Sequence, residues 1–415
     1  MPHLARGGIS NTVTRRLSRR EFVGRSLVVG GGSIALAHLL SACGGGNEST
    51  TQLVIGTPDA PVTLPAVGEP IADGLPLESG TLQIYNYADY LNPETIAAFE
   101  AAFGVKVTVS IYDTEEVALS KMRSGSIKPD LVLGLTDTVL ARFVAAELFQ
   151  PLNRGYIGNF ENVIAGLRDP YYDLGAQYTV PYVIYANGVG FRTDRDIDTS
   201  AFVGDDGWSA LWNPAYAGRL AVLDSYRDTI SMALFRAGVF DPNTADASAL
   251  SAAADDLVEL ATLTNPKVDI LSYQEVAAGG RDIALCWSGD MLAGVGYLPE
   301  GESPDVLGFW YPDTTITAND FFAVPSASTK PVLAHAFINF LLDAEVALGN
   351  QAYVGYQPAL EALTAEALVS AGAIPESLVG ALVTPERYAA GKRLVSLAPD
   401  VDALWLDGWT RFTTG

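Results

Sequence analysis

Residues 81–107 read TLQIYNYADYLNPETIAAFEAAFGVKV, and this stretch decides the fold. Leu82, Ile84 and Tyr85 read as a short apolar strand. Asn92-Pro93-Glu94 then opens a helix: Asn caps free backbone N–H groups, and Pro sits where its missing N–H costs nothing. Ile96, Phe99 and Phe103 recur at helical spacing and share one face. Gly104 stops the helix, and Val105, Val107, Val109 and Ile111 alternate as a second strand. The unit is therefore strand–loop–helix–strand. Its loop, residues 86–90, lies at the carboxyl end of the first strand, where open α/β sheets bind ligands. Tyr87, Asp89 and Tyr90 make this loop one wall of a cleft.

Working outward, the same alternation continues. A helix is expected over 114–124, a buried strand over 129–134 (PDLVLG) and a helix over 139–148, with Asp137 in the loop between the last two. Residues 208–218 read as a helix and turn, 220–223 as a strand, 248–262 as an amphipathic helix, 283–287 and 307–311 as strands, and 331–351 as one long helix. Residues 183–191 and 320–325 read as two crossings that interrupt the alternation. The expectation is α/β, in two lobes built from discontinuous segments, with a cleft between them. Lobe 1 takes 80–184 and 321–362, and lobe 2 takes 185–320 and 363–415.

The chain has 415 residues and a formal net charge of −23. Residues 1–42 hold six Arg and one Glu, which leaves −28 on the remainder and argues against nucleic acid as a partner. Ser18-Arg19-Arg20-Glu21-Phe22 resembles a twin-arginine export motif, and a short apolar run over 26–40 suits a signal segment. Leu40-Ser41-Ala42-Cys43 matches a lipobox, whose cysteine is lipidated and anchors the chain to the outer face of a membrane. Residues 44–51 read as a tether, and the Pro-rich stretch 57–80, with interleaved Leu64, Val67, Ile71, Leu75 and Leu77, reads as a strap lying on a domain. Cys286 is left as a buried apolar residue. Beyond the signal segment His335 is the one histidine, which argues against a histidine triad or a histidine-rich metal site. No cofactor is expected.

Asp89, Asp228, Asp290 and Asp320 stand at the ends or starts of expected strands, with Tyr87, Tyr90 and Trp287 beside them. Carboxylates with aromatic faces suit an organic ammonium, because ring faces add cation–π attraction of about 2 kcal/mol when desolvated. Each residue also has an ordinary use. Asp89, Asp228 and Asp290 can cap helices, Asp320 can meet a lysine or a backbone group, and large rings are more often core.

Several blocks together resemble the spermidine/putrescine-binding proteins of bacterial ABC importers. They are Tyr85-Asn86-Tyr87-Ala88-Asp89-Tyr90, the strand 129–133, Pro181-Tyr182, the block 208–218, Trp287-Ser288-Gly289-Asp290, Asp320 to Pro325, and Trp409-Thr410. The resemblance implies a monomeric, lipid-anchored solute-binding protein of the cell envelope that delivers a polyamine to permease subunits. It implies amine-holding roles for Asp89, Asp228, Asp290 and Asp320, and chain-lining roles for Tyr87, Tyr90 and Trp287. Three departures stand out: Tyr87 replaces a tryptophan, the loop after 133 reads Leu135-Thr136-Asp137, and Ala318 replaces an aromatic found in some relatives. Asp137 therefore joins the candidates. Two rival readings are another small solute on the same scaffold, and an enzyme using paired carboxylates for glycoside hydrolysis. The enzyme is disfavoured because the acids already have binding roles.

Overall fold

A computed structural model describes residues 55–415. The twin-arginine motif, the apolar run, Cys43 and the tether over 44–51 lie outside the described residues.

The opening unit forms as its sequence dictates. Strand β1 (Thr81–Asn86) leads to α1 (Pro93–Phe103), where the Asn92 side chain accepts from the Glu94 amide at 2.9 Å and Gly104 turns off the helix at φ 66°. Phe99 is fully buried, with the rings of Phe337 and Phe340 at 4.8 and 5.4 Å. Strand β2 (Lys106–Ile111) pairs parallel with β1 but is an outer strand, so Val109 and Ile111 stay exposed despite their alternation. Helix α2 (Glu115–Arg123), strand β3 (Leu131–Thr136) and helix α3 (Asp137–Ala145) follow.

The long strand β4 (Val180–Arg192) joins two halves of one twisted sheet. Its residues 180–186 pair with β9 (Thr317–Ala323), which pairs in turn with β3. Its residues 187–192 pair with β7 (Ile283–Trp287) and β8 (Leu307–Trp310). Beyond β7 lie β5 (Leu220–Leu223) and β6 (Lys267–Asp269), both parallel to their neighbours. The strand order is β2-β1-β3-β9-β4-β7-β5-β6. One apolar cluster, with Phe99, Leu133 and Phe337, runs from the first half into the second through Ala284, Met291 and Leu307; a second surrounds Trp208, Leu223 and Leu257, and a third, around Phe143 and Phe149, lies in the first half. The result is a two-lobed α/β molecule in which β4 and β9 run through the junction.

In the second half, α4 (Tyr226–Arg236) follows β5, α5 (Ala247–Thr264) covers it, and α6 (Ser288–Gly294) follows β7. The C-terminal helix Pro399–Thr414 packs on α5 and α4, with the Trp405 indole donating to the Thr244 carbonyl at 3.1 Å. The expected helix and turn over 208–218 is 3₁₀ rather than α, over Asp205–Trp212 and Pro214–Tyr216.

The single helix expected over 331–351 is two helices, α7 (Pro331–Leu341) and α8 (Ala344–Val354), meeting at an 82° bend. The reason is Asp343. Its carboxylate accepts from the amides of Glu345 and Val346, so it starts a new helix rather than continuing the old one. In the Pro-rich stretch Leu64 is buried, and the amides of Val67 and Leu75 donate to the hydroxyls of Tyr178 and Tyr156 at 2.7 and 2.8 Å. Leu75 and Leu77 are nevertheless exposed.

Asp130 ties three segments of the first half together. It is 3% exposed and accepts from the Gln83 amide, the Ser328 hydroxyl and the Thr329 amide at 2.9–3.0 Å. Asp130→Ala would leave these donors buried without partners. It should lower unfolding stability by about 2–4 kcal/mol in urea titration, and a loss below about 0.5 kcal/mol would contradict this role.

Candidate functional site

Asp320 sits on β9 opposite Thr136 of β3 on one side and Val183 of β4 on the other. It is 5% exposed. The Tyr90 hydroxyl donates to Oδ2 at 2.7 Å and the Tyr185 hydroxyl to Oδ1 at 3.1 Å. None of the salt bridges among the described residues involves Asp320. Burial pushes its carboxyl up to about 7, and the two tyrosine hydrogen bonds offset this only in part. The Tyr90 loop that reaches it is pinned from behind. The Tyr182 hydroxyl donates to the Tyr90 carbonyl at 2.8 Å and accepts from the Asn350 amide at 2.7 Å.

Asp290 and Trp287 come from the end of β7 and the first turn of α6. Asp290 accepts from the Ser272 hydroxyl at 2.8 Å, the Tyr356 hydroxyl at 2.9 Å and the Trp287 amide at 3.3 Å. The capping use open to it in the sequence is therefore realised, and Tyr356 adds a contact from the segment after α8. Gly289 makes room for this, since a Cβ there would lie about 2.5 Å from the Tyr356 ring. Asp228, in the first turn of α4, is 7% exposed. It accepts from the Asn187 side-chain amide at 2.7 Å and from the Ser225 hydroxyl.

Rings close the space between these acids. Tyr90 meets Tyr356 at 5.7 Å, Tyr185 meets Tyr356 at 5.6 Å, and Tyr185 meets Trp287 at 6.3 Å. Tyr87 stands behind, 6.1 Å from Tyr90 and 4.4 Å from Tyr112. Asp320 and Tyr90 belong to the first half of the sheet, and Asp228, Asp290 and Trp287 to the second. Tyr185 and Tyr356 link them.

Two candidates fall at the margin. Asp89 is exposed, sits at φ 57° and accepts from the Tyr353 hydroxyl at 3.2 Å. Asp137 is the first residue of α3 rather than a loop residue. Its carboxylate takes the Tyr171 hydroxyl and faces Arg393, which offsets part of its charge, although burial still lifts it to about 6. Arg393 is itself held over the Tyr388 ring at 3.9 Å.

Four residues of the site escaped the sequence reading. Glu115 reads there as an ordinary first-turn acid. In the fold it bonds the Thr136 amide at 2.5 Å and hydroxyl at 3.2 Å, lies within electrostatic reach of Asp320, and is pushed up to about 8 by burial. Tyr185, within the crossing strand, lies directly opposite Ala318, so its ring stands on the face where that position lacks one. The alternation of β4 puts Tyr185 and Asn187 on one face, a signal hidden by the uniform burial of this strand. Tyr356 follows a helix that no sequence pattern separates from its predecessor. Among the described residues no group of three or more His, Cys, Asp or Glu is placed to hold a metal ion. The arrangement is a cluster of buried carboxylates and aromatic rings at the junction of the two halves.

Residues 94–375 match the model of the bacterial extracellular solute-binding protein family. The chain is 27% identical over 359 residues to the putrescine-binding periplasmic protein PotF of Escherichia coli (strain K12), covering 82% of this chain and 93% of that protein. It is 27% identical over 286 residues to the spermidine/putrescine-binding periplasmic protein of the same organism, covering 67% and 77%. Among solved structures it is similar to the spermidine/putrescine substrate-binding protein PotD of Streptococcus pneumoniae, at TM-score 0.67 and 21% identity over 81% of this chain and 99% of that one. The TpPotD lipoprotein of Treponema pallidum gives TM-score 0.64 at 20% identity, over 80% and 99%. These likenesses confirm the two-lobed architecture, and the relatives are transport proteins rather than enzymes. The chain belongs to the bacterial extracellular solute-binding protein family.

Proposed function

We propose that the protein is the lipid-anchored receptor of an ABC importer and that its solute is a polyamine of the putrescine or spermidine kind. The observation that carries this reading is the buried, cation-free carboxylate of Asp320 ringed by Tyr90, Tyr185 and Tyr356, with Asp290 and Asp228 across the junction. Leaving an ionised carboxylate unpaired in a buried site costs several kcal/mol, so a cationic guest is favoured over a neutral one. Methylenes between amines would lie on the rings, and the ammonium groups would meet the acids. The names of the relatives support the same solute class. Ligand contacts to both halves would favour closure about β4 and β9, and delivery to permease subunits would follow from the closed form. Asp89 and Asp137 have lesser parts in this reading.

A thermal-shift panel of diamines, triamines, amino acids and sugars checks it. Putrescine or spermidine should raise the melting temperature, and Asp320→Asn should weaken binding at least thirtyfold in calorimetry. A shift given only by sugars or neutral amino acids would favour another solute and contradict the amine reading.

Binding should also depend on pH. Asp320 holds its proton up to about 7 and Glu115 up to about 8 in the free protein. A bound ammonium lowers both values, so binding releases protons. Affinity should therefore rise by at least roughly tenfold from pH 6 to pH 8, the share of Asp320 alone, and further where Glu115 also loses its proton. Affinity that is flat or falls over this range would contradict the arrangement.

The anchor is tested separately. Full-length protein expressed in a bacterium with lipoprotein processing should fractionate with membranes, and Cys43→Ala should release it. Equal membrane retention of the variant would exclude lipidation at this residue.

A further inference from the structure

Asn187 stands where β4 leaves one half of the sheet and enters the other. Its backbone is satisfied: its amide donates to the Ile316 carbonyl at 2.9 Å, and its carbonyl accepts from the Thr315 hydroxyl at 2.7 Å. The side chain is 3% exposed. Its Nδ2 donates to Asp228 Oδ1 at 2.7 Å, and its Oδ1 has no hydrogen-bond partner among the described residues. Turning the amide over would set Oδ1 against the carboxylate, acceptor to acceptor, so Asp228 fixes its orientation. A buried carbonyl oxygen without a donor is costly in a finished core, and such exceptions call for a partner.

The surroundings say where that partner lies. Asn187 is in register with Trp287, and strand alternation puts it on the same face as Tyr185. Tyr185 touches Trp287 and Tyr356 and donates to Asp320. That face is the wall of the amine site. No Lys or Arg forms a salt bridge with Asp228 among the described residues.

From these observations we infer that Asn187 is a specificity-determining residue, whose side-chain carbonyl accepts an N–H from the same ligand amine that Asp228 balances in charge. A primary ammonium has three N–H donors and can serve both oxygens at once, whereas a hydroxyl has one. The residue therefore selects for a protonated amine at the end of the ligand opposite Asp320. The inference rests on the amine reading of the site and adds a residue and a directional requirement to it.

Calorimetry with putrescine and spermidine on the mature chain tests it. The unmutated protein is measured first, and absence of binding there would defeat the amine reading itself. Given binding, Asn187→Leu, of similar size but without an acceptor, should bind about tenfold more weakly. Asn187→Thr, whose hydroxyl can donate to Asp228 and still accept from the amine, should stay within about threefold of the unmutated protein and guards against a merely structural loss. Asp228→Asn and the double variant Asp228→Asn/Asn187→Leu complete a cycle. If both side chains grip one nitrogen, the double variant loses less than the product of the two single losses. Full affinity in Asn187→Leu, equal weakness in Asn187→Thr, or losses that multiply would each overturn the assignment.

Discussion

The structure depends on one unusual interaction: a buried carboxylate, Asp320, solvated by two tyrosine hydroxyls and, among the described residues, by no cation. A hydrogen bond from a phenol stabilises a carboxylate but supplies no countercharge. The group therefore stays partly protonated near neutral pH, at about 7. Glu115, held by the amide and hydroxyl of Thr136 opposite Asp320, is likewise pushed up by burial, to about 8. A surface aspartate would meet water, and a structural one would meet arginine. The protein pairs a buried cation where it has one, as Arg192 with the part-exposed Asp194 and Glu302 makes plain, yet among the described residues no such partner meets Asp320. A site left this way is poised for a positive guest.

Topology explains how the acids meet. Parallel strands β1 and β3 deliver their carboxyl ends, and thus Tyr90 and Thr136, to one side of the junction. Parallel β5 and β7 deliver Asp228 and Asp290 from the other. Strands β4 and β9 run antiparallel between them, and their residues Tyr185, Asn187 and Asp320 form the floor. The same two strands run through the junction, and in the proposed closure the halves would turn about them. The groups that would grip the ligand thus sit on the hinge itself, so ligand contact and closure are mechanically joined.

Much of this was legible in the sequence because local rules governed it. The Asn92 cap, Pro93, Gly104 and the apolar strand 129–134 each lie in a context where propensity and packing agree. Asp228 and Asp290 were legible for the same reason, standing just beyond strand ends, whereas Asp320, expected at the start of a crossing, lies in the middle of β9. What escaped depends on pairing between distant residues. Tyr185 matters because Ala318 lies opposite it, and Tyr356 because Gly289 admits its ring, neither of which a linear reading exposes. Glu115 was hidden by its own ordinariness as a first-turn acid. The break at Asp343 was missed because apolar periodicity continues across it while the cap redirects the chain. Asp137 was placed in a loop because the start of α3 carries no side-chain cap to announce it.

The central claim is that Asp320 carries a proton that an ammonium displaces. Difference infrared spectroscopy at pH 6.5 reads this directly, since a protonated carboxyl absorbs apart from a carboxylate. Adding putrescine or spermidine should remove a protonated-carboxyl band that Asp320→Asn lacks from the outset. A spectrum with no such band before amine addition, or with the band unchanged after it, would contradict the account.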